Sequence, residues 1–181
     1  ILVKELREKE TMDEIEKIAK MISDTLSTEL NIKVYISIGT VVSDLKDVSR
    51  SYKEAKMALE VGKIFESEKY IVNYEKLGIG RLIYQLPLSL CKMFIKEVLH
   101  GLTMDDFDEE TLATVNKFFE NNLNVSETSR QLYIHRNTLV YRLDKLQKMT
   151  GLDLRNFDDA IIFKITLMVS KYMMYMDKMV Y

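Results

Sequence analysis

One segment, residues 124–143, constrains this chain more than any other, because its pattern predicts two helices joined by a tight turn. Ser129 is small enough for a point where two helices cross, and Leu139 is placed to pack the second helix back onto the first. The second helix should cover about residues 135–149 and stop at Gly151, since glycine readily adopts the conformation that ends helices. Two helices joined in this way can place the second one in the major groove of DNA.

The turn contains an unusual residue, Tyr133, about four positions after Ser129. Glycine suits this place because the turn favours a positive φ, which is strained for a bulky residue. We therefore expect an altered turn geometry at Tyr133.

The second helix should have two distinct faces when its residues are placed at about 100° intervals. Leu139, Leu143 and Leu146 cluster on one side and predict the contact with the core. Arg136 and Asn137, near the start of the helix, could reach base edges, because asparagine pairs well with adenine and arginine with guanine.

Other polar residues of the motif are candidates for contacts with the DNA backbone. We expect Tyr141, Arg142 and Lys145 to hold phosphates, with Ser126 and Arg130 adding contacts from the first helix. The complete predicted DNA-contacting set is Ser126, Thr128, Arg130, His135, Arg136, Asn137, Thr138, Tyr141, Arg142 and Lys145.

Charge is informative only locally, since the whole chain has a formal net charge of −2. DNA responds to the local field, and between residues 130 and 148 five basic residues oppose only Asp144. A solvated helix in an ordinary bundle could carry similar charge, but the helix–turn–helix spacing favours the DNA-binding interpretation.

His135 has no second histidine or cysteine nearby, so we expect it to cap the helix or contact a phosphate rather than bind a metal. The single cysteine, Cys91, excludes an intrachain disulfide and is expected to be a buried thiol.

The N-terminal part predicts half of an α/β sandwich. A capping box at Thr11 and Glu14 begins a helix, residues 34–42 form a β-branched run typical of a buried strand, and residues 70–72 predict a second, shorter strand. Between the strands a helix is expected over residues 44–65. The residues expected to face inward on it are Val48, Tyr52, Ala55 and Leu59.

The C-terminal part begins near Pro87, the only proline, and predicts an all-helical arrangement. We expect a helix over residues 88–102, then an acidic cluster at 105–110 that is a solvated loop capping the next helix or, alternatively, an interaction surface. A last helix carries a broad apolar stripe that predicts core and could extend into a dimer seam. Its residues are Phe157, Ile161, Ile165, Met168, Tyr172 and Met176, widened by Ile162, Val169 and Met173.

Three short runs then point to a known family: HRNTL at 135–139, YRL at 141–143 and TGLDL at 150–154. Over residues 86–175 the chain resembles the C-terminal DNA-binding domain of the sugar-diacid and purine-catabolism regulators of the CdaR/PucR type. Residues 36–39 and 51–59 are similar to the second half of the degenerate GGDEF-like domain that precedes it. The chain departs from the family pattern at Tyr133, where glycine is usual, and at Ser129, where alanine is frequent.

The resemblance implies an α+β, mostly α chain: a truncated GGDEF-like α/β half domain over 1–85, a connecting helix and acidic loop over 86–108, and an all-α helix-turn-helix domain over 109–181. It implies a sequence-specific transcriptional regulator, an activator of a catabolic operon, that binds double-stranded DNA as a homodimer. A sensor domain for a small-molecule effector would lie upstream, outside this sequence. We expect no cofactor, no membrane contact and a cytoplasmic location.

Two other functions were weighed against this one. A nucleotide cyclase would need a Gly-Gly turn with acidic metal ligands, which the sequence lacks, so no enzyme activity is expected. The alternative is an oligomerisation or interaction module that does not bind DNA, in which the helix-turn-helix unit serves only as packing.

Overall fold

The computed structural model describes residues 1–6, 11–66 and 69–179, and it divides into two compact units, Ile1–Gln85 and Leu86–Tyr181. Among the described residues, no helix combines the length and the apolar character that crossing a membrane requires.

The first unit places helices around a small parallel sheet. Strands β1 (Ile36–Ile38) and β2 (Ile71–Asn73) pair in parallel, with Ile36 opposite Ile71 and Ile38 opposite Asn73. Helix α1 (Met12–Leu30) begins as predicted, since the Thr11 N–H donates to Glu14 Oε2 at 2.9 Å. The remaining elements are a 3-10 helix (Leu45–Asp47), α2 (Val48–Phe65), a second 3-10 helix (Tyr74–Lys76) and α3 (Gly80–Ile83).

Two expectations for this unit were wrong in detail. The predicted strand over 34–42 is three residues long, because its partner β2 offers only three residues for pairing and Val41 is half exposed. Tyr52 lies outside the inward face of α2, 41% exposed, with the Lys56 ammonium 5.9 Å from its ring centroid. The orientation of α2 follows from its close approach to β2 at Gly62, where a Cβ would lie 2.6 Å from Val72 Cγ2.

The second unit is entirely helical in the described residues and holds the larger apolar core. Its elements are α4 (Leu88–Val98), a 3-10 helix (Met104–Asp106), α5 (Glu109–Glu120), α6 (Val125–Gln131), α7 (Arg136–Thr150) and α8 (Phe157–Met179). Helix α4 packs along α8, while α5, α6 and α7 pack on one another. The buried cluster comprises Leu99, Phe107, Val115, Phe118, Leu139, Leu143, Leu146, Leu154 and Phe163.

The helix predicted over 88–102 is shorter than expected. It ends at Val98, and both His100 (φ 52°) and Gly101 (φ 93°) then adopt positive φ values that no α-helix accommodates.

The buried face of α8 agrees with the predicted stripe at Val169 and Tyr172 but differs from it in the first two turns of the helix. Ala160, Phe163 and Thr166 point into the core, whereas Phe157 is 68% exposed and Ile161 is 41% exposed. Apolar residues surround most of this helix, so sequence periodicity does not determine which side faces inward. The packing of Phe163 edge-on against Phe107, with ring centroids 6.0 Å apart, shows the orientation that the core selects.

The two phenylalanines of α8 provide a direct test of this orientation. We expect Phe163→Ala to destabilise the second unit by about 3–5 kcal/mol, because it leaves a cavity in the core. Phe157→Ala, the same change on the same helix, should alter the free energy of unfolding far less. Urea denaturation monitored by circular dichroism measures both, and equal losses in the two variants would contradict the orientation described here.

Candidate DNA-binding site

Helices α6 and α7 form a helix-turn-helix unit that packs against the apolar core. Leu139, Leu143 and Leu146 of α7 are at most 1% exposed, which confirms the predicted buried face. Ser129 lies at the helix crossing, 7% exposed, and its hydroxyl donates to the Ser126 carbonyl oxygen at 3.0 Å. Helix α6 begins at Asn124, whose side-chain oxygen accepts the Glu127 N–H at 3.0 Å.

The turn between the helices keeps the left-handed conformation despite its bulky residue. Tyr133 has φ 54°, so the expectation of an altered geometry was wrong. Its N–H donates to the Arg130 carbonyl oxygen at 3.2 Å, and the Ile134 N–H donates to the Ser129 carbonyl oxygen at 3.1 Å. Leu132 and Ile134 pack against the core on either side. These backbone bonds and flanking contacts hold the turn, and Tyr133 itself takes the conformational cost.

The first turn of α7 presents a row of exposed polar side chains. His135 is the N-cap and its Nδ1 accepts the Asn137 N–H at 3.2 Å, which agrees with the predicted capping role. Arg136, Asn137 and Thr138 follow in exposed positions, and Tyr141 one turn later is 68% exposed. These side chains have the freedom to enter a groove because the opposite face of the same helix is buried.

One predicted site residue, Thr128, is in the wrong place for a DNA contact. It is fully buried on α6, so no atom of it is accessible to a ligand outside the unit. Its Oγ1 is buried without a hydrogen-bond partner among the described residues. A hydroxyl in that state costs stability, so Thr128 acts in the fold as a β-branched core residue.

Two other predicted residues are engaged with the acidic start of α5. Arg142 Nη2 donates to Glu110 Oε2 at 2.5 Å and Nη1 donates to Thr114 Oγ1 at 2.9 Å, leaving the side chain only 20% exposed. Lys145 Nζ donates to Asp108 Oδ2 at 2.7 Å and stays 45% exposed. We call these two ion pairs the α5–α7 tether.

The remaining predicted residues lie on α6 and differ in their freedom. Arg130 makes a bidentate contact with Glu127 on the helix surface: Nε donates to Oε2 at 3.0 Å and Nη2 donates to Oε1 at 2.7 Å. Ser126 is exposed.

Sequence reasoning missed the acidic partners of the tether. It favoured a solvated, capping loop at 105–110 and named no partner within the chain, although Asp108 both caps α5, accepting the Thr111 N–H at 2.7 Å, and pairs with Lys145. The only available signal was the charge complementarity between residues 108–110 and the basic residues of α7. Spacing along the chain does not reveal such a contact.

The tether changes the titration of its members. The hydrogen bond from Lys145, followed by the bonds from Thr111, holds the pKa of Asp108 far below its usual value of 3.8. The hydrogen bond to Asp108 raises the pKa of Lys145 in turn. Both groups are therefore charged throughout the physiological pH range.

No group of three or more metal-ligating side chains occurs in the described ranges 1–6, 11–66 and 69–179.

Comparison with known proteins shows which type of helix-turn-helix domain the second unit resembles. The PucR C-terminal helix-turn-helix domain matches residues 111–169, and a GGDEF-like domain matches residues 1–61. The chain thus matches a PucR-type helix-turn-helix domain preceded by a GGDEF-like domain, which confirms the resemblance to the CdaR/PucR regulators.

Three similar proteins extend this comparison. The purine catabolism regulatory protein of Bacillus subtilis is 28% identical over 147 residues, covering 81% of this chain and 28% of that protein. The carbohydrate diacid regulator of Escherichia coli is 31% identical over 140 residues, covering 77% and 36%. The proline-responsive transcriptional activator PutR of Bacillus subtilis is 27% identical over 162 residues, covering 86% and 39%. The chain thus spans between 28% and 39% of the length of these three relatives.

The same substitution at two buried threonines should change the stability of the unit in opposite directions. Thr128→Val should stabilise the unit by up to about 1 kcal/mol, because it removes an unpartnered hydroxyl and keeps the side-chain shape. Thr114→Val should destabilise it by about 1.5–3 kcal/mol, because Arg142 loses an acceptor. Chemical denaturation measures both, and a loss of stability in Thr128→Val would show that its hydroxyl has a partner.

The tether should make stability depend on pH in a defined direction. Because the pKa of Asp108 is lowered on folding, its contribution to stability is complete well above its usual value of 3.8 and is lost progressively as the pH falls from there toward the lowered pKa. Asp108→Asn keeps a capping side chain but loses the ion pair, so it should be less stable than the wild type near pH 7. The difference in thermal midpoint should shrink below about pH 4.

Asp105→Asn is the control for this experiment, since Asp105 is exposed and has no ion-pair partner among the described residues. Its thermal midpoint should follow the wild type at every pH. A constant difference between Asp108→Asn and the wild type from pH 7 to pH 2 would contradict the assigned ion pair.

Proposed function

We propose that this chain is the DNA-binding part of a transcriptional regulator that recognises a specific sequence through the first turn of α7. The observation that carries the proposal is the contrast between the two faces of α7: three leucines are fully buried, while Arg136, Asn137 and Thr138 are exposed at its start. A helix anchored on one side and polar at its exposed N-terminus fits the major groove, which is about 12 Å wide.

Base reading is assigned to the residues that have no competing bond. The side chains of Arg136 and Asn137 make no hydrogen bond or ion pair with any other described residue, so both are available for base edges. Arginine offers two donors to guanine, and asparagine matches the donor–acceptor pair of adenine. Thr138, Tyr141 and Ser126 are then placed beside them for phosphate or base contacts.

Arg142 is proposed to position α7 rather than to hold a phosphate. Its guanidinium already uses both terminal nitrogens in bonds to α5 and is largely shielded from solvent. Breaking those bonds to reach DNA would leave Glu110 and Thr114 without their partner. Lys145 is half exposed and can contribute its charge to the DNA field from within its ion pair.

The relatives suggest the wider role, since they include a purine catabolism regulatory protein and a proline-responsive transcriptional activator. We infer an activator of a catabolic operon that responds to a small-molecule effector sensed elsewhere in the full protein. It would act in the cytoplasm, where its DNA target lies, and it would have no catalytic activity of its own.

A homodimer is also proposed, because helix-turn-helix units usually bind paired half-sites about 34–36 Å apart, or a multiple of that distance. The exposed apolar side chains of α8, such as Ile161 and Ile162, offer a surface on which two copies could associate. Analytical ultracentrifugation with and without a two-half-site duplex tests this. A single protomer bound to a single half-site would contradict it.

The recognition assignment predicts a base-specific loss when Asn137 is truncated. Asn137→Ala should weaken binding to a selected duplex by about 1–3 kcal/mol and relax the preference at one base position. Fluorescence anisotropy, using duplexes enriched from a random pool by the purified chain, measures both effects. Asn116→Ala is the matched control, the same change on the exposed face of α5. Equal affinities for Asn137→Ala and the wild type would refute the recognition-helix assignment.

A further inference from the structure

Tyr133 is the most exposed large hydrophobic side chain of the helix-turn-helix unit, and it occupies a strained backbone position. Its φ is 54° and it is 94% exposed. In the part of the chain that the structure describes, its side chain makes no hydrogen bond, ion pair or ring contact. The chain therefore gains nothing within its own fold from a tyrosine here.

Leu123 is an example of a strained residue whose strain is offset by packing within the fold. It also has a positive φ, 62°, but its side chain packs against the core of the unit, so the burial of apolar surface offsets the strain. Tyr133 has no such offset. The turn does not need the tyrosine either, since backbone bonds and the packing of Leu132 and Ile134 hold it closed.

The position of Tyr133 places it beside the proposed DNA surface. It lies two residues before the N-cap of α7 and three residues before Arg136, so its Cα is at most about 11 Å from that of Arg136. A major groove about 12 Å wide brings its phosphate walls within the same range of any residue that reads bases at its floor. An exposed phenol at this distance from Arg136 is therefore within the range of a phosphate on the wall of the groove that Arg136 would enter.

The motif also needs uncharged donors for phosphates. Of the five basic residues between 130 and 148, Arg130, Arg142 and Lys145 are held in ion pairs with Glu127, Glu110 and Asp108. Only Arg136 and Lys148 are without an ion-pair partner among the described residues. Hydroxyl donors are therefore an additional means of fixing the domain on the DNA backbone, beside the few basic side chains that are not paired.

We propose that the Tyr133 hydroxyl donates a hydrogen bond to a backbone phosphate oxygen of double-stranded DNA and thereby fixes the register of α7 in the groove. This inference rests on the proposed DNA-binding function and adds a positioning residue to it. Tyrosine would be retained at a position that favours glycine because its side chain acts on the ligand and not on the fold.

Two variants separate the ligand contact from the strain. Tyr133→Phe removes only the hydroxyl and should weaken DNA binding about five- to tenfold without changing the thermal midpoint. Tyr133→Gly should bind DNA at least as weakly as the phenylalanine variant, yet melt about 2–4 °C higher because the left-handed strain is relieved. Gain of stability with loss of affinity is the expected signature.

The loss of DNA affinity in Tyr133→Phe should also have the two properties expected when an uncharged donor contacts a phosphate. Tyr133→Phe should weaken binding to the selected duplex and to a scrambled duplex by the same factor, because phosphates carry no sequence. The dependence of affinity on salt should keep the wild-type slope, since an uncharged donor releases no counterion. Fluorescence anisotropy over a KCl series measures both.

His100→Gly is the matched control, because His100 is an exposed residue with φ 52° outside the helix-turn-helix unit. It should melt higher than the wild type and bind DNA equally well. Wild-type affinity in Tyr133→Phe, or a loss confined to one base position, would overturn the phosphate contact. If Tyr133→Phe binds normally while Asn137→Ala loses its base preference, the Tyr133 inference fails and the proposed function stands. A wild-type chain that binds no duplex overturns both.

Discussion

The burial of Leu139, Leu143 and Leu146 is the interaction on which the DNA-binding unit depends. These three side chains attach α7 to a core that includes Phe118 of α5. Each fully buried leucine contributes about 1.5–3 kcal/mol, and their spacing leaves α7 one way to lie on that core. The polar first turn of α7 is exposed as a direct consequence, so the orientation of the proposed reading surface is set by apolar packing on its reverse side.

Ion pairs add to the apolar packing in holding α7 in place. The α5–α7 tether joins Arg142 and Lys145 to the acidic first turn of α5, where Asp108 also acts as the N-cap. This arrangement removes much of the apparent positive charge of the motif from direct phosphate binding. In the proposed DNA-binding role, α7 would use the few free groups at its N-terminus together with hydroxyl donors, while the tether holds the helix in place.

Local signals predicted local features well. The helix boundaries near His135 and Gly151 followed from a cap and a left-handed stop, and the buried leucines followed from helical periodicity. Predictions failed where several orientations were compatible with the same pattern. Helix α8 is apolar on most sides, so Phe157 was expected inside and lies outside. Thr128 is a polar residue on a polar stretch, and only the tertiary packing of α6 shows that it is buried.

The sequence by itself determined the class of the chain, because the spacing of small, turn and apolar residues over 124–143 permits little other than a helix-turn-helix unit, and its short motifs indicated the regulator type. The tertiary structure alone decided which polar side chains are free. That choice depends on contacts between residues far apart in the chain, such as Arg142 with Glu110, and on a backbone conformation at Tyr133 that its residue type disfavours. Neither has a signature in local sequence, since both result from the packing of complete helices.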